Sequence, residues 1–180
     1  MVYSTVGDIF DAINETRDRT YRRVEGLSKE QAGFRTDPDR WSVGQLVEHI
    51  AMSEELLIKR LQKLLEEAEA NAPSDARMAP FSLDELKARA DGKKFSAPEI
   101  LHPGGEQAIA ESLARMRANR GALIALRTRF ESVDGAAVTS PHPAFGALNL
   151  YQWIAFNGAH EARHLAQIEA IVASPLFPAA

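Results

Sequence analysis

Four stretches of this chain repeat their apolar residues at steps of three and four, and no stretch alternates for long enough to predict a strand. That pattern confines the chain to amphipathic helices, each of which must bury one face against another. The first helix is expected over about 5–26, on Val6, Phe10, Ile13, Thr20, Val24 and Leu27. A short turn follows at 28–32, where Ser28 and Gln31 have the spacing of a capping box. Residues 36–40 read as a loop from their Pro and Asp content. The second helix starts at Ser42, with Gln45 again three residues on. It runs to about Ala70 on Val43, Leu46, Val47, Ile50, Leu57, Leu61, Leu64 and Leu65.

Residues 71–103 break the period with Pro73, Pro80, Pro98 and Pro103. They read as a long crossover with one brief helical piece opened by Ser82 and Glu85. The third helix is expected over about 105–131, on Ile109, Leu113, Met116, Leu123, Ile124, Leu126 and Phe130. Residues 140–143, Ser-Pro-His-Pro, are an extended or turn segment. The fourth helix covers about 148–173 and stops before Pro175 and Pro178. Four long helices with one long crossover make an all-α four-helix bundle, a single domain over 1–180.

Composition narrows the function. The 180 residues carry 25 acids against 21 Lys and Arg, a formal net charge of −4, with the basic residues scattered, so there is no electrostatic case for nucleic acid. No cysteine is present, which excludes disulfides, thiolate zinc sites and a Cys nucleophile. The first residues have neither the basic nor the apolar region of a signal peptide, and no apolar run is long enough to span a bilayer. A cytoplasmic protein without a membrane partner is expected.

Bundles build metal and cofactor sites from side chains on facing helices, so the five histidines carry most of the information. His160 and His164 sit four residues apart on the fourth helix. Their rings lie about 40° apart around the axis and about 6 Å apart along it, close enough to reach one ion. Trp153, Phe156 and Ile171 lie within about 60° of His160, so the pair points into the apolar stripe. Two buried imidazoles need partners, and a metal satisfies both; a core pair satisfied in other ways is the competing reading. His49, on the flank of the apolar face of the second helix, reads alone as a bundle-edge histidine bonded to a carbonyl; taken with the pair, it supplies a third nitrogen. Three neutral imidazoles with an open position suit zinc or another late first-row divalent metal, with water in the open position lowered in pKa for attack.

His160-Glu161-Ala-Arg-His164 also has the H-E-x-x-H spacing of a metalloprotease helix, in which Glu161 is the general base. The downstream ligand of that site is missing: no His follows, and the only acid, Glu169, is too close. Glu161 therefore stands as a candidate base or a partner to a ligand, against the plain alternative of a solvated or ion-paired acid. His102 and His142, each beside a proline, read as surface residues, with His142 at a pocket mouth as the alternative. Trp41 and Trp153 read as core aromatics, Trp41 as a staple at the start of its helix. Arg163 falls on another face, where it would form a surface salt bridge or bind an anionic substrate.

The run Trp41-Ser-Val-Gly-Gln-Leu-Val-Glu-His49-Ile resembles the first signature of the DinB-like (YfiT-like) superfamily. The end of the chain resembles the second: Gly146, Leu148, Trp153, then His160-Glu-Ala-Arg-His164-Leu-Ala-Gln167-Ile. The likeness covers nearly the whole chain. It implies an up-down-down-up bundle, a homodimer, and a three-histidine metal site that falls here on His49, His160 and His164. Zinc and nickel are the metals it implies first, with iron and manganese as further candidates. It also implies a small-molecule substrate and a metal-dependent hydrolase, or a transferase or isomerase that uses a low-molecular-weight thiol as a second cofactor. The alternative is a non-catalytic bundle that binds a metal or a small molecule. A structural zinc site would be closed by a fourth protein ligand, for which Glu161 and Asn157 are the candidates.

Overall fold

The fold is described from a computed structural model, which describes residues 1–71, 78–84, 88, 97–105 and 107–179. The elements in chain order are strand β1 (Val2–Tyr3), helices α1 (Val6–Val24), α2 (Lys29–Gly33) and α3 (Val43–Ala70), and strand β2 (Phe81–Ser82). A 3-10 turn (Glu99–Leu101) leads to helices α4 (Ile109–Ala125) and α5 (Arg127–Glu131). Strands β3 (Thr139–His142) and β4 (Gly146–Asn149) and helix α6 (Leu150–Val172) complete the chain. The helices begin where their polar caps say they should. Ser28 with Gln31 and Ser42 with Gln45 form the expected capping boxes, and Thr5 with Asp8 and Asn149 with Gln152 form two more. Each box satisfies two backbone donors that the first turn would otherwise leave bare.

The helix directions follow from which residues meet. Along α1 and α6, Gly158 abuts Ile13, Arg17 meets Glu161 and Arg19 meets Glu169, so these helices are parallel. Along α3 and the α4–α5 arm, Ala51 meets Asn119, Glu54 meets Arg120 and Glu69 meets Arg129, again parallel. Between α3 and α6 the order reverses, with Arg60 over Trp153 and His49 beside His160. The bundle is therefore up-down-down-up, and a long crossover joins α3 to α4. Among the described residues, no helix is long and apolar enough to cross a membrane.

Three expectations change. The third helix starts at Ile109 rather than Gly105 and breaks at Leu126, whose amide turns to the Leu123 carbonyl (3.1 Å), a 3-10 contact that separates α4 from α5. Strands do form, too short to show a period: β1 pairs with β2, and β3 with β4, both antiparallel. The 140–143 segment lies mostly in β3. Gly146, at φ +76°, turns the chain after the three-residue loop of that hairpin, a conformation glycine adopts without strain. The brief helical piece expected from Ser82 begins inside β2, and its Glu85 lies outside the described residues.

The core has three layers. One apolar cluster gathers Ile9, Phe10, Ile13, Leu57, Leu61, Leu65, Leu123, Phe130 and Trp153; another gathers Val24, Val43, Leu46, Val47, Ile50, Met116 and Ile168. Between them lies a charged layer to which α1, α3, α4 and α6 each contribute one residue: Arg17, Glu54, Arg120 and Glu161. Arg17 donates from Nε to Glu161 Oε1 (2.8 Å), from Nη2 to Glu54 Oε2 (2.7 Å), and from Nη1 to the Met116 carbonyl (2.8 Å). Arg120 donates from Nη2 to Glu54 Oε1 (3.1 Å) and to Glu161 Oε2 (3.3 Å), and from Nη1 to the Ile13 carbonyl (2.8 Å). Asn157 Nδ2 donates to Glu54 Oε1 (3.0 Å).

Two cations and two anions cancel, and every charge is hydrogen-bonded, which is the condition for burying them. Removing one partner leaves an excess of buried charge. Glu54→Ala is expected to lower stability by about 3–5 kcal/mol in urea unfolding. Gly158→Ala should cost about 1–3 kcal/mol, because its Cβ would come within 2.6 Å of Ile13 Cγ2, and Ile is stiff at χ1.

Candidate metal centre

His49 projects from the second turn of α3, and His160 and His164 from one face of α6. Their ligand nitrogens all lie within 4.8 Å of one another. His49 Nε2 is 3.3 Å from His160 Nε2, and His164 Nε2 is 3.2 Å from the same atom. A tetrahedral ion with nitrogens at 2.0–2.1 Å separates them by about 3.3 Å, so these spacings match two of its edges. The three nitrogens could hold one metal ion.

The surrounding hydrogen bonds fix which nitrogen of two rings is free. His49 Nδ1 donates to the Leu101 carbonyl (2.8 Å), and His164 Nδ1 donates to Gln167 Oε1 (2.7 Å). Both Nε2 atoms are then left as bare acceptors in the neutral ring. Three Nε2 atoms thus converge with at most one ring proton among them, from His160. The Ser53 hydroxyl, 3.4 Å from His49 Nε2, is a long contact for a fourth partner. A divalent cation satisfies all three lone pairs at once.

The electrostatics agree. Burial, and after it the neighbouring imidazoles, hold His160 well below the ordinary histidine pKa. Burial first and His49 next push His164 down to about 4. Burial lowers His49 as well, although its bond to Leu101 works the other way. The rings are therefore neutral at pH 7, the form that ligates metal.

The other singled-out residues fall into place around this centre. Glu161 is adjacent to His160 in sequence but points into the charged layer, 1% exposed, with both carboxylate oxygens held by Arg17 and Arg120. Of the readings open for it, the ion-paired acid matches this placement and the base does not: the helical step that turns His160 towards His49 turns Glu161 towards Arg17 and Arg120. Asn157 is likewise committed to Glu54. Neither joins the histidine group, and among the described residues no fourth His, Asp or Glu does. Trp41 is half-buried, not a core aromatic. Its ring packs on His49 (centroids 4.7 Å apart) and faces His164 (6.5 Å) and exposed His102 (6.1 Å). Trp153 is in the core, donating from Nε1 to the Ser140 carbonyl.

His142 is half-buried rather than free at the surface. The β3–β4 hairpin folds it against Phe145, Trp153 and Phe156, with centroids 4.6, 5.2 and 4.6 Å away, and burial first, then Arg60, pushes its pKa to about 4. Phe156 in turn lies 5.8 Å from His160, so an aromatic wall runs from the centre to the hairpin. Arg163 is exposed on α6. A basic hollow lined by Arg19, Arg22, Arg23 and Glu169 lies elsewhere and includes none of the histidines.

Arg17, Glu54 and Arg120 were missed by reading apolar residues alone, yet they leave a trace. Each fills a gap in a stripe: position 17 between Ile13 and Thr20, position 54 between Ile50 and Leu57, position 120 between Met116 and Leu123. A charge at such a gap on each of several helices is the available signal for a buried network.

A family model described as the DinB superfamily matches residues 12–168. YuaE of Bacillus subtilis (strain 168), an uncharacterized protein, is 29% identical over 160 residues, covering 88% of this chain and 93% of its own. The crystal structure of TT2238, a four-helix bundle protein, superposes with a TM-score of 0.64 at 18% identity, over 92% of this chain and 99% of that one. An uncharacterised protein from Escherichia coli UTI89 superposes at 0.60 and 11% identity, over 98% of each chain. These two structures share the fold with this chain.

The geometry makes a stoichiometric prediction. Untagged protein is expected to carry or take up about one divalent ion per chain by elemental analysis, and His160→Ala should lose it, because two imidazoles alone hold such an ion far less tightly.

Proposed function

The chain belongs to the DinB superfamily, and from that membership and the geometry of its histidines we propose that it is a metal-dependent enzyme acting on a small molecule. His49, His160 and His164 are the proposed ligands, and zinc or nickel the proposed metal. The observation that carries the reading is the absence of a fourth protein ligand: among the described residues only three ligating groups converge, and the nearest alternatives, Glu161 and Asn157, are spent on the charged layer. Structural zinc sites are usually closed by four protein ligands, whereas catalytic ones keep a position open.

A bound divalent ion supplies Lewis acidity, which makes a nucleophile of water or of a low-molecular-weight thiol at neutral pH. The chain's own residues prepare the place. The Leu101 carbonyl and Gln167 Oε1 hold the Nδ1 protons of His49 and His164, which keeps their Nε2 lone pairs turned inward. Trp41 covers one side of His49 and His164 and keeps water from it. The Ser53 hydroxyl, beside His49 Nε2, is placed to hydrogen-bond an incoming oxygen or sulfur. Phe156, His142 and Phe145 offer an apolar surface for the body of a substrate.

Turnover separates the readings. Zinc- or nickel-loaded protein, screened against ester, amide and electrophilic substrates with and without a low-molecular-weight thiol, is expected to turn over at least one class. His160→Ala should reduce that rate by 100-fold or more, roughly the value of the metal's contribution. Turnover in water alone marks a hydrolase, and strict thiol dependence marks a transferase. A protein that holds its ion and turns over nothing in either panel would instead be a binding module.

A further inference from the structure

Glu48 immediately precedes His49 on α3, and its side chain is nine-tenths buried. Its partners are two consecutive backbone amides of the crossover: Oε1 accepts from Gly104 N–H (3.2 Å) and Oε2 from Gly105 N–H (3.1 Å). No arginine or lysine among the described residues pairs with it. Three residues before Gly104, the Leu101 carbonyl accepts from His49 Nδ1. Adjacent residues of α3 therefore grip one short segment at both ends, Glu48 by its amides and His49 by its carbonyl.

The segment is stiff between those grips. The 3-10 turn Glu99–Leu101 closes with His102 N–H donating to the Glu99 carbonyl (2.9 Å), and Pro103 is buried before Gly104. Gly105 has φ +78°, and a Cβ there would come within 2.9 Å of Gln45 Nε2, so the chain can turn this close to α3 only as glycine. A carboxylate that takes two amides, and no cation among the described residues, is an anchor for the backbone that carries them.

We propose that Glu48 is a positioning residue of the metal centre: by docking the Leu101–Gly105 segment on α3, it holds the Leu101 carbonyl as the acceptor for His49 Nδ1 and so keeps His49 Nε2 aimed at His160 and His164. The inference rests on the metal-centre reading above. It adds that one ligand is oriented by the crossover rather than by its own helix. Without the anchor, Leu101 moves away, and His49 is free to carry its proton on Nε2 or to rotate out of the group. Loss of such an outer partner typically weakens metal binding about 10- to 100-fold.

The test compares wild type, Glu48→Ala and Glu48→Gln by two measurements. Zinc affinity is read by competition with a chromophoric chelator. The His49 tautomer is read in the metal-free protein from its ring 15N shifts. Glu48→Ala is expected to bind zinc about 10- to 100-fold more weakly and to lose the pure Nδ1–H tautomer of His49. Glu48→Gln, which keeps one amide acceptor, should fall between it and wild type. Leu65→Ala, destabilised in the apolar cluster sixteen residues along α3 from His49, is the control and should retain wild-type affinity.

Wild-type affinity and an unchanged tautomer in Glu48→Ala would overturn the positioning role while leaving the metal centre intact. A wild type that takes up no zinc would overturn the metal-centre reading instead, and the tautomer measurement would then still decide whether Glu48 orients His49. Should Glu48→Ala not fold, Glu48→Gln decides by the same two readouts, with unchanged values in both counting against the proposal.

Discussion

The layer formed by Arg17, Glu54, Arg120 and Glu161 is the constraint on which the rest of this bundle depends. Apolar faces alone specify that helices pack; they do so at many registers for nearly the same energy. A buried guanidinium tolerates no such freedom, because a slip of one residue would leave it unpaired in a low-dielectric interior at a cost of several kcal/mol. Here each of the four long helices contributes one charge, and the two arginines also reach the backbone carbonyls of Met116 and Ile13 on opposite helices. The network therefore locks α1, α3, α4 and α6 to one another at a single register between two apolar clusters.

That lock also sets the histidine cluster. Glu161 and His160 are neighbours in the chain, and Asn157 precedes them by one turn. Once Glu161 is tied to Arg17 and Asn157 to Glu54, α6 has no remaining freedom to rotate or slide against α3. His160 and His164 are then carried on the adjoining face to meet His49. The charged layer spends its charges on itself, whereas the imidazoles a turn away, two buried and one half-buried, are neutral and short of protons. The two polar sites of one core thus have opposite chemistry: one is satisfied by its own charges, and the other could hold a cation.

Much of this was legible from residues alone. The helical periods, the boxes at Ser28 and Ser42, and the i, i+4 histidine pair are local patterns, and local geometry carried them into the fold with end points shifted by only a few residues. The strands were not legible, since two or four residues are too few to show alternation. Glu161 was legible as a residue of interest but not in its partners, because the H-E-x-x-H spacing describes a helix face without saying what faces it. His142 and Trp41 were misjudged for a related reason. Proline neighbours and a position just before a helix suggest surface and staple, yet the hairpin and the crossover turn these rings against the aromatic wall and the metal-ligand candidates.

By itself the sequence determined the helices, two of their starting caps, the absence of a cysteine thiol and the three imidazoles available to a metal. These follow from residue type and from spacing within a few positions, which is the range over which backbone geometry is predictable. Only the tertiary structure decided that Arg17 and Arg120 lie inside, that Glu161 serves the core, and which ring nitrogen of His49 faces the group. Those outcomes depend on residues such as Leu101 and His160, 52 and 111 positions away from His49. Contacts at that separation are settled by how whole helices and their connections pack, and no local rule encodes them.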